Sequence, residues 1–528
     1  MDLQAFPVEL QYSIIDYLAG DDILNLSLTN KYFFAFLSPF QKLSSIMAVG
    51  LLGEIWPTID LENWNVREDK LKNFGFNECR FKFQSISISA SVLNTLENLP
   101  PSKELIISMD SKTDPECLAT VFKQDVTDLE IGKLFDVDFD LWKAIPTLTK
   151  LKTLRMGYDT KIDWKFLVGL IPKTKVEILA VESAIFTPDS LYLFENLARL
   201  NLKELHLSRS SFMNIHIEKL AKSLPFTSIK YLELRDCSIG DHGAKTISKV
   251  LRDTQLHYLG LENNRITSEG LEHLSEGIMN SKLKRLEINL NDFDDDDWYL
   301  LYRKLPYTCL ESLEVGLIGE MSQLALASTL SKSKVTKLAI MYCSDYHNNL
   351  TQAIKDSKLK TLEIVDEASE DGDPSILGNL AKYLPCEALY IEQVGPSSIL
   401  TIFQNLKQSK VKKFGVWDTP LNEIMPFVAK EICKTNLVTL SFQIGFLTDE
   451  SILYLADGLN AGKLRNLDLS SNPEITVDGI LQFVDKVKNS SLQQLAFRDI
   501  FKSRKDKEMA MSKVRRILEH NYRLYVSF

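Results

Sequence analysis

The chain has 528 residues, 45% of them apolar, with a formal net charge of -10 and a pI near 5.4. That length suits several domains or one elongated repeat array. The acidic balance argues against nucleic acid or an anionic membrane as the main ligand, because both are held by clustered Lys and Arg. The cysteines are scattered, odd in number and form no C-x-x-C pair, so a reducing cytoplasmic or nuclear compartment is expected. The apolar stretch IMAVGLLGEIW is about half of the ~20 residues needed to cross a bilayer, and no secretory or membrane segment is expected.

The first element is FPVELQYSIIDYLAGDDILNLSLTNKYF, residues 6–33. Pro7 suits a first helical turn, where its missing N–H is not needed, and Leu10, Ile14, Tyr17 and Leu18 follow on one face. Asp21 or Asp22 can cap a second helix carrying Ile23, Leu26 and Leu28, and Asn30 a third carrying Phe33, Phe34, Phe36 and Leu37. Three short helices in ~40 residues are near the size at which a domain struggles to fold unaided, so this apolar surface calls for a partner.

The stretch resembles an F-box. The family pattern runs Leu-Pro-x-Glu-Leu, a spaced Ile, Tyr-Leu, a turn with Asp-Leu, Leu-x-Leu and an Asn/Cys-Lys-x-Phe segment. Here it is met by Phe6, Pro7, Glu9, Leu10, Ile14, Tyr17, Leu18, Asp22, Ile23, Leu26, Leu28, Asn30, Lys31 and Phe33, with Phe6 in place of the usual Leu. The resemblance implies an N-terminal helical domain over residues 1–45. It would dock on the adaptor subunit of an SCF-type cullin-RING ubiquitin ligase through Phe6, Pro7, Glu9, Leu10, Ile14, Leu18, Ile23, Leu26 and Lys31, and reach the cullin through that adaptor. The simpler alternative is that residues 6–40 only cap the neighbouring domain. Residues 46–82, with Trp56, Pro57 and Trp64 in no clear frame, are expected to be a helical linker or N-terminal cap of the following domain.

From residue 83 one pattern returns, apolar-x-x-apolar-x-apolar, as in LKELHL at 202, IKYLEL at 229, LHYLGL at 256, LKRLEI at 283 and LESLEV at 310. The same frame starts at 83, 102, 126, 151 and 176, and again at 335, 359, 386, 411, 437, 464 and 492. Its average spacing of about 26 residues falls in the range of a leucine-rich repeat. Alternate apolar positions such as Leu232 and Leu234 point to one face of a strand, which a single strand cannot bury; stacked strands make a parallel sheet, covered by the returning segment. Those returns are expected to be helices, one capped by Asp241 with Ala244, Ile247 and Leu251, the next by Thr267 with Leu271, Leu274 and Ile278. Asn264, Asn291 and Asn472, or Cys237 and Cys343, take position nine, where Asn can satisfy backbone left by the departing strand. The chain is similar to leucine-rich-repeat proteins of the ribonuclease-inhibitor or cysteine-containing subtype. The expected fold is α/β, a solenoid over 83–500 with a parallel concave sheet and convex helices. Residues 501–528 form a C-terminal cap of one basic helix and a final strand carrying Leu524 and Val526.

The concave face should carry the residues between the buried leucines. These give Glu204, Tyr231, Glu233, Tyr258, Glu262, Glu287, Glu314, Glu363, Tyr390 and Trp417 as candidate target-binding residues, with Glu392 beside them. Neighbouring strands are ~4.8 Å apart, so Glu287 and Glu314 should repel. A basic protein target would account for that row, with the rings as anchors, and a solvated sheet face is the alternative. NDFDDDDW lacks calcium-loop spacing and better suits carboxylates at a helix start. No phosphate-cradling loop, nucleophile elbow or zinc signature is present, so neither a cofactor nor an enzymatic centre is expected. The leading expectation is a substrate receptor. A GTPase activator or inhibitor built on similar repeats, and an F-box scaffold outside ubiquitin transfer, are the rivals.

Overall fold

The computed structural model describes residues 58–60, 83–89, 102–108, 127–131, 150–156, 162–318, 320–342, 347–366, 375–459, 462–501, 503–518 and 524–528. The F-box-like stretch and all of its adaptor-binding candidates lie outside them. The chain packs as two compact units, Met1–Arg265 and Ile266–Phe528.

In the first unit the described strands are β1 (Thr58–Asp60), β2 (Phe83–Ser89), β3 (Ser102–Ser108), β4 (Asp128–Ile131), β5 (Thr153–Met156), β6 (Ile178–Val181), β7 (Glu204–His206), β8 (Tyr231–Glu233) and β9 (Tyr258–Gly260). Each pairs in parallel with the next. In the second they are β10 (Arg285–Glu287), β11 (Ser312–Ile318), β12 (Lys337–Tyr342), β13 (Thr361–Asp366), β14 (Ala388–Glu392), β15 (Lys413–Trp417), β16 (Thr439–Gln443), β17 (Asn466–Asp468), β18 (Gln494–Ala496) and β19 (Tyr525–Ser527). Again every neighbour in sequence is a parallel neighbour in space. Helical returns such as Asn214–Ser223, Pro396–Leu406 and Val477–Val487 connect them. This is a leucine-rich-repeat solenoid of the α/β class.

Burial explains why the pattern folds this way. Leu205, Leu232 and Leu259 sit at the centres of adjacent strands with no exposed surface, and Leu207, Leu234 and Leu261 follow them inside. Burying each such side chain contributes about 1.5–3 kcal/mol, which no isolated strand could realise. The helix Gly240–Ser248 turns Ala244 and Ile247 inward, and Ser268–Gly277 does the same with Leu271 and Leu274.

In each unit a buried asparagine holds the turns that follow neighbouring strands from within. Asn264 accepts hydrogen bonds from the amides of Cys237 at 2.8 Å and Ile239 at 3.3 Å, and donates to the carbonyls of Leu234 and Glu262. In the second unit Asn472 accepts from Gly445 and Leu447 and donates to Phe442, Leu469 and Ser470. One buried side chain thus satisfies backbone groups on two rungs. Cys237 fills the same position in its own rung, donating to Leu207 O at 3.0 Å, and burial pushes its thiol up to about 12.

Three expectations meet particulars. The helix expected after Asp241 starts at Gly240, so Asp241 lies in the first turn, where its charge opposes the positive end of the helix dipole, and is not the cap. Thr58–Asp60 is a strand paired with β2, within a segment expected to be helical; Pro57 disfavours a continuing helix before it, and β-branched Thr58 and Ile59 suit an extended chain. The carboxylates of NDFDDDDW do start a helical turn, with Asp297 accepting from the Asp294 amide at 2.8 Å. At the C-terminal end the helix Arg504–Ile517, opened by Ser503, leads to β19, which pairs along β18.

Candidate functional site

Alternation along each strand leaves the residues between the buried leucines on the opposite side, and register aligns them rung by rung. In the first unit Glu204, Tyr231 and Tyr258 form one row, and His206, Glu233 and Gly260 the next. The rings of Tyr231 and Tyr258 stack with centroids 3.8 Å apart and planes within 3°, and His206 stacks on Tyr231 at 4.7 Å. Both tyrosine hydroxyls donate to Glu233 Oε2, at 3.1 Å from Tyr231 and 2.7 Å from Tyr258. Glu233 Oε1 is buried without a hydrogen-bond partner among the described residues. Its place depends on Gly260, where an added Cβ would stand 2.3 Å from Oε1. Glu204 lies 3.4 Å from His206 Nε2, and Arg235 is 3.4 Å from Glu262.

In the second unit Glu287, Glu314, Ala339, Glu363, Tyr390 and Gly415 share one row. The expected neighbouring carboxylates, Glu287 and Glu314, are thus register partners. Each has a local counterpart: Arg285 closes on Glu287, and Asn289 donates to Glu314 Oε1 at 3.0 Å. Lys337 stands 3.6 Å from Glu363. Burial first, and then the charges of Glu287 and Glu363, hold the Glu314 carboxyl above its usual range, against the pull of Asn289 and Lys337. Burial, Asp418 and Glu363 do the same for Glu392. Tyr390 stacks on Trp417 with centroids 5.3 Å apart and planes within 6°, and Gly415 leaves room for it, since a Cβ there would meet the Tyr390 ring at 2.6 Å. Burial and then the charge of Glu363 raise the Tyr390 hydroxyl. Trp417 Nε1 is buried without a hydrogen-bond partner among the described residues.

The structure therefore places the ten sequence candidates in two clusters, one in each unit, and qualifies their accessibility. Tyr258, Glu262 and Glu287 were expected on an open face and are buried, at 7%, 8% and 8% exposure. Tyr258 is covered by the Tyr231 ring, and Arg235 and Arg285 lie over the two carboxylates. Glu204, Tyr231, Glu233, Glu314, Glu363, Tyr390 and Trp417 are half-buried. Residue-by-residue reading did not assign roles to Gly260 and Gly415. The signal available was a glycine at a strand position whose neighbour one repeat earlier is bulky, Glu233 and Tyr390 respectively.

Chemically the half-buried Tyr390–Trp417 stack offers an aromatic surface beside carboxylates, which suits cationic or planar side chains, whereas in the first unit His206 and Tyr258 cover the two faces of Tyr231. Among the described residues no group of three or more His, Cys, Asp and Glu is arranged to hold a metal, and no helix is long and apolar enough to cross a membrane.

The family model described as Leucine Rich repeat matches residues 227–248, which span β8 and the helix Gly240–Ser248. No curated protein matches the chain. Among solved structures, the crystal structure of the Rad7 and Elc1 complex in yeast is similar at 14% identity and a TM-score of 0.27, over 84% of this chain and 79% of that chain. Strand order, register and the matched repeat make this a leucine-rich-repeat protein.

Proposed function

We propose that the chain is a non-catalytic substrate-recognition subunit of an SCF-type E3 ubiquitin ligase. Residues 6–33 bind the adaptor, and the two aromatic-carboxylate clusters bind a protein target of basic character in the cytoplasm or nucleus. The observation that carries this reading is the Pro7-x-Glu9-Leu10 to Asn30-Lys31 pattern standing in one chain with a leucine-rich-repeat solenoid. The apolar residues of the 6–33 stretch supply attachment and a stacked sheet supplies a selective surface. The subunit's contribution is proximity, which converts an encounter between target and ubiquitin-loaded enzyme into a reaction within one assembly.

The class of target follows from charge and rings. Glu363 and Glu392 lie beside the Tyr390–Trp417 stack, an arrangement that favours Lys or Arg side chains lying over an aromatic face, and Glu204 adds a carboxylate beside the Tyr231 stack. Reconstituted ubiquitin transfer tests the reading: a partner captured by the full chain should gain ubiquitin when adaptor, cullin, RING subunit and charged E2 are present, and should not when residues 1–45 are removed. A partner that stays bound to the assembled ligase yet gains none would instead identify a scaffold.

A further inference from the structure

A second kind of surface lies where the strands of the first unit begin. There a cavity of about 330 Å³ is lined by Lys152, Thr174, Lys175, Glu177, Arg199 and Asn201 above an apolar floor. Its floor is apolar and packed: Ile171, Val176 and Leu200 are buried. Its rim is cationic. Lys152, Lys175 and Arg199 are exposed, and none of the three forms an ion pair among the described residues. In a chain of net charge -10, three unpaired cations around one cavity stand out from the general acidic field.

The only carboxylate among the lining residues is already engaged, since Glu177 Oε1 sits 2.6 Å from Lys203 Nζ. The backbone fixes these groups relative to one another. Lys152 N donates to Thr127 O at 2.7 Å, Glu177 N to Lys152 O at 2.8 Å and Lys203 N to Glu177 O at 2.7 Å, so Lys152, Glu177 and Lys203 hold equivalent places on adjacent rungs. Those rungs are about 4.8 Å apart. The turn bearing Lys175 is closed by Thr174, whose hydroxyl donates to Ile171 O at 2.7 Å and accepts from Val176 N at 3.2 Å. Asn201, in the left-handed region at φ 48°, brings an amide group to the lining.

We propose that this cavity binds a phosphate group, carried either by a phosphorylated side chain of a partner protein or by a small phosphate compound. A carboxylate would bring one negative charge and two acceptor oxygens. A phosphate monoester brings close to two charges and three acceptor oxygens, which matches one guanidinium, two ammonium groups and an amide donor more fully. Arg199 can address two of those oxygens at once, while Lys152 and Lys175 act as point charges. The site is separate from both aromatic-carboxylate clusters and does not depend on the ligase reading.

Calorimetric titration of the full chain tests the proposal with inorganic phosphate, pyrophosphate, and a glycine-alanine peptide carrying one phosphoserine beside its unphosphorylated counterpart. Saturable binding of at least one phosphate probe, with none of the plain peptide, is expected. Combined Lys152→Gln, Lys175→Gln and Arg199→Gln should weaken it by about tenfold or more, and higher salt should weaken it further. Glu177→Gln removes the opposing charge and frees Lys203, so it should tighten binding by about threefold, a gain that a merely structural role would not produce. Preference for the phosphopeptide would assign the source to a partner chain; equal or better binding of phosphate or pyrophosphate would assign it to a small compound. The three substituted side chains are exposed, so an unchanged melting curve is expected of the variant, and the single substitutions serve if the triple one fails to fold. No saturable binding of any phosphate probe, or binding that the substitutions leave as it was, overturns the proposal.

Discussion

Glu233 and Gly260 occupy neighbouring rungs as one fitted pair: the carboxylate lies in the space that a Cβ at residue 260 would fill, 2.3 Å from Oε1. The pair determines where the two tyrosine hydroxyls find their acceptor. Gly260→Ala should therefore displace Glu233 and cost about 1–3 kcal/mol, the usual range for overpacking. In a Glu233→Ala background the same change should cost little. Denaturant unfolding of wild type, both single variants and the double variant measures that coupling; additive effects would show that the two residues do not interact.

Asn472 ties the turn after β16 to the turn after β17. Its Oδ1 accepts from Gly445 N at 2.9 Å and Leu447 N at 3.1 Å, and the side chain is wholly buried. Asn472→Ala leaves buried amides and carbonyls without partners, at about 1–3 kcal/mol for each group that water cannot reach. Hydrogen exchange should show the amides of Gly445 and Leu447 losing protection more than those of Leu232 or Leu259 in the other unit. Uniform loss, or none, would contradict a local role.

Stability should depend on pH through Glu314. Its carboxyl is raised, so the folded chain keeps this proton to a higher pH than the unfolded chain does. Between the two values folding takes up a proton, and stability falls as pH rises. The stabilising contribution is complete below the unfolded value of about 4.3 and lost as pH rises through the folded one. Glu314→Gln keeps an oxygen for Asn289 and abolishes the charge. It should melt higher than wild type at neutral pH, with the difference closing near pH 4. A variant that melts lower at neutral pH would contradict the sign.

Much of the fold was legible because its signal is local. From β5 to β18 each strand begins two residues after its frame, since the first apolar position, as in Leu202, Ile229, Leu256 and Leu283, is buried in the approach to the strand. Alternation then settles which strand residues are core. The site was legible only in part, because its chemistry is set between rungs. Tyr258 has the parity of an open-face residue, yet the Tyr231 ring 27 positions earlier removes it from water. Glu262 and Glu287 are likewise buried beside arginines, Arg235 from the preceding rung and Arg285 from the same strand. β1 was missed because three residues, Thr58–Asp60, carry no full repeat frame.

The central claim is that residues 6–33 attach this solenoid to a ligase adaptor. Titrating purified SCF adaptor subunit against the full chain, and against a Pro7→Ala, Leu10→Ala double variant, tests it most directly. The account predicts saturable one-to-one binding by the wild-type chain, weakened by about a hundredfold or more in the variant, as expected when central apolar anchors are removed. No binding by the wild-type chain, or undiminished binding by a folded double variant, would contradict it.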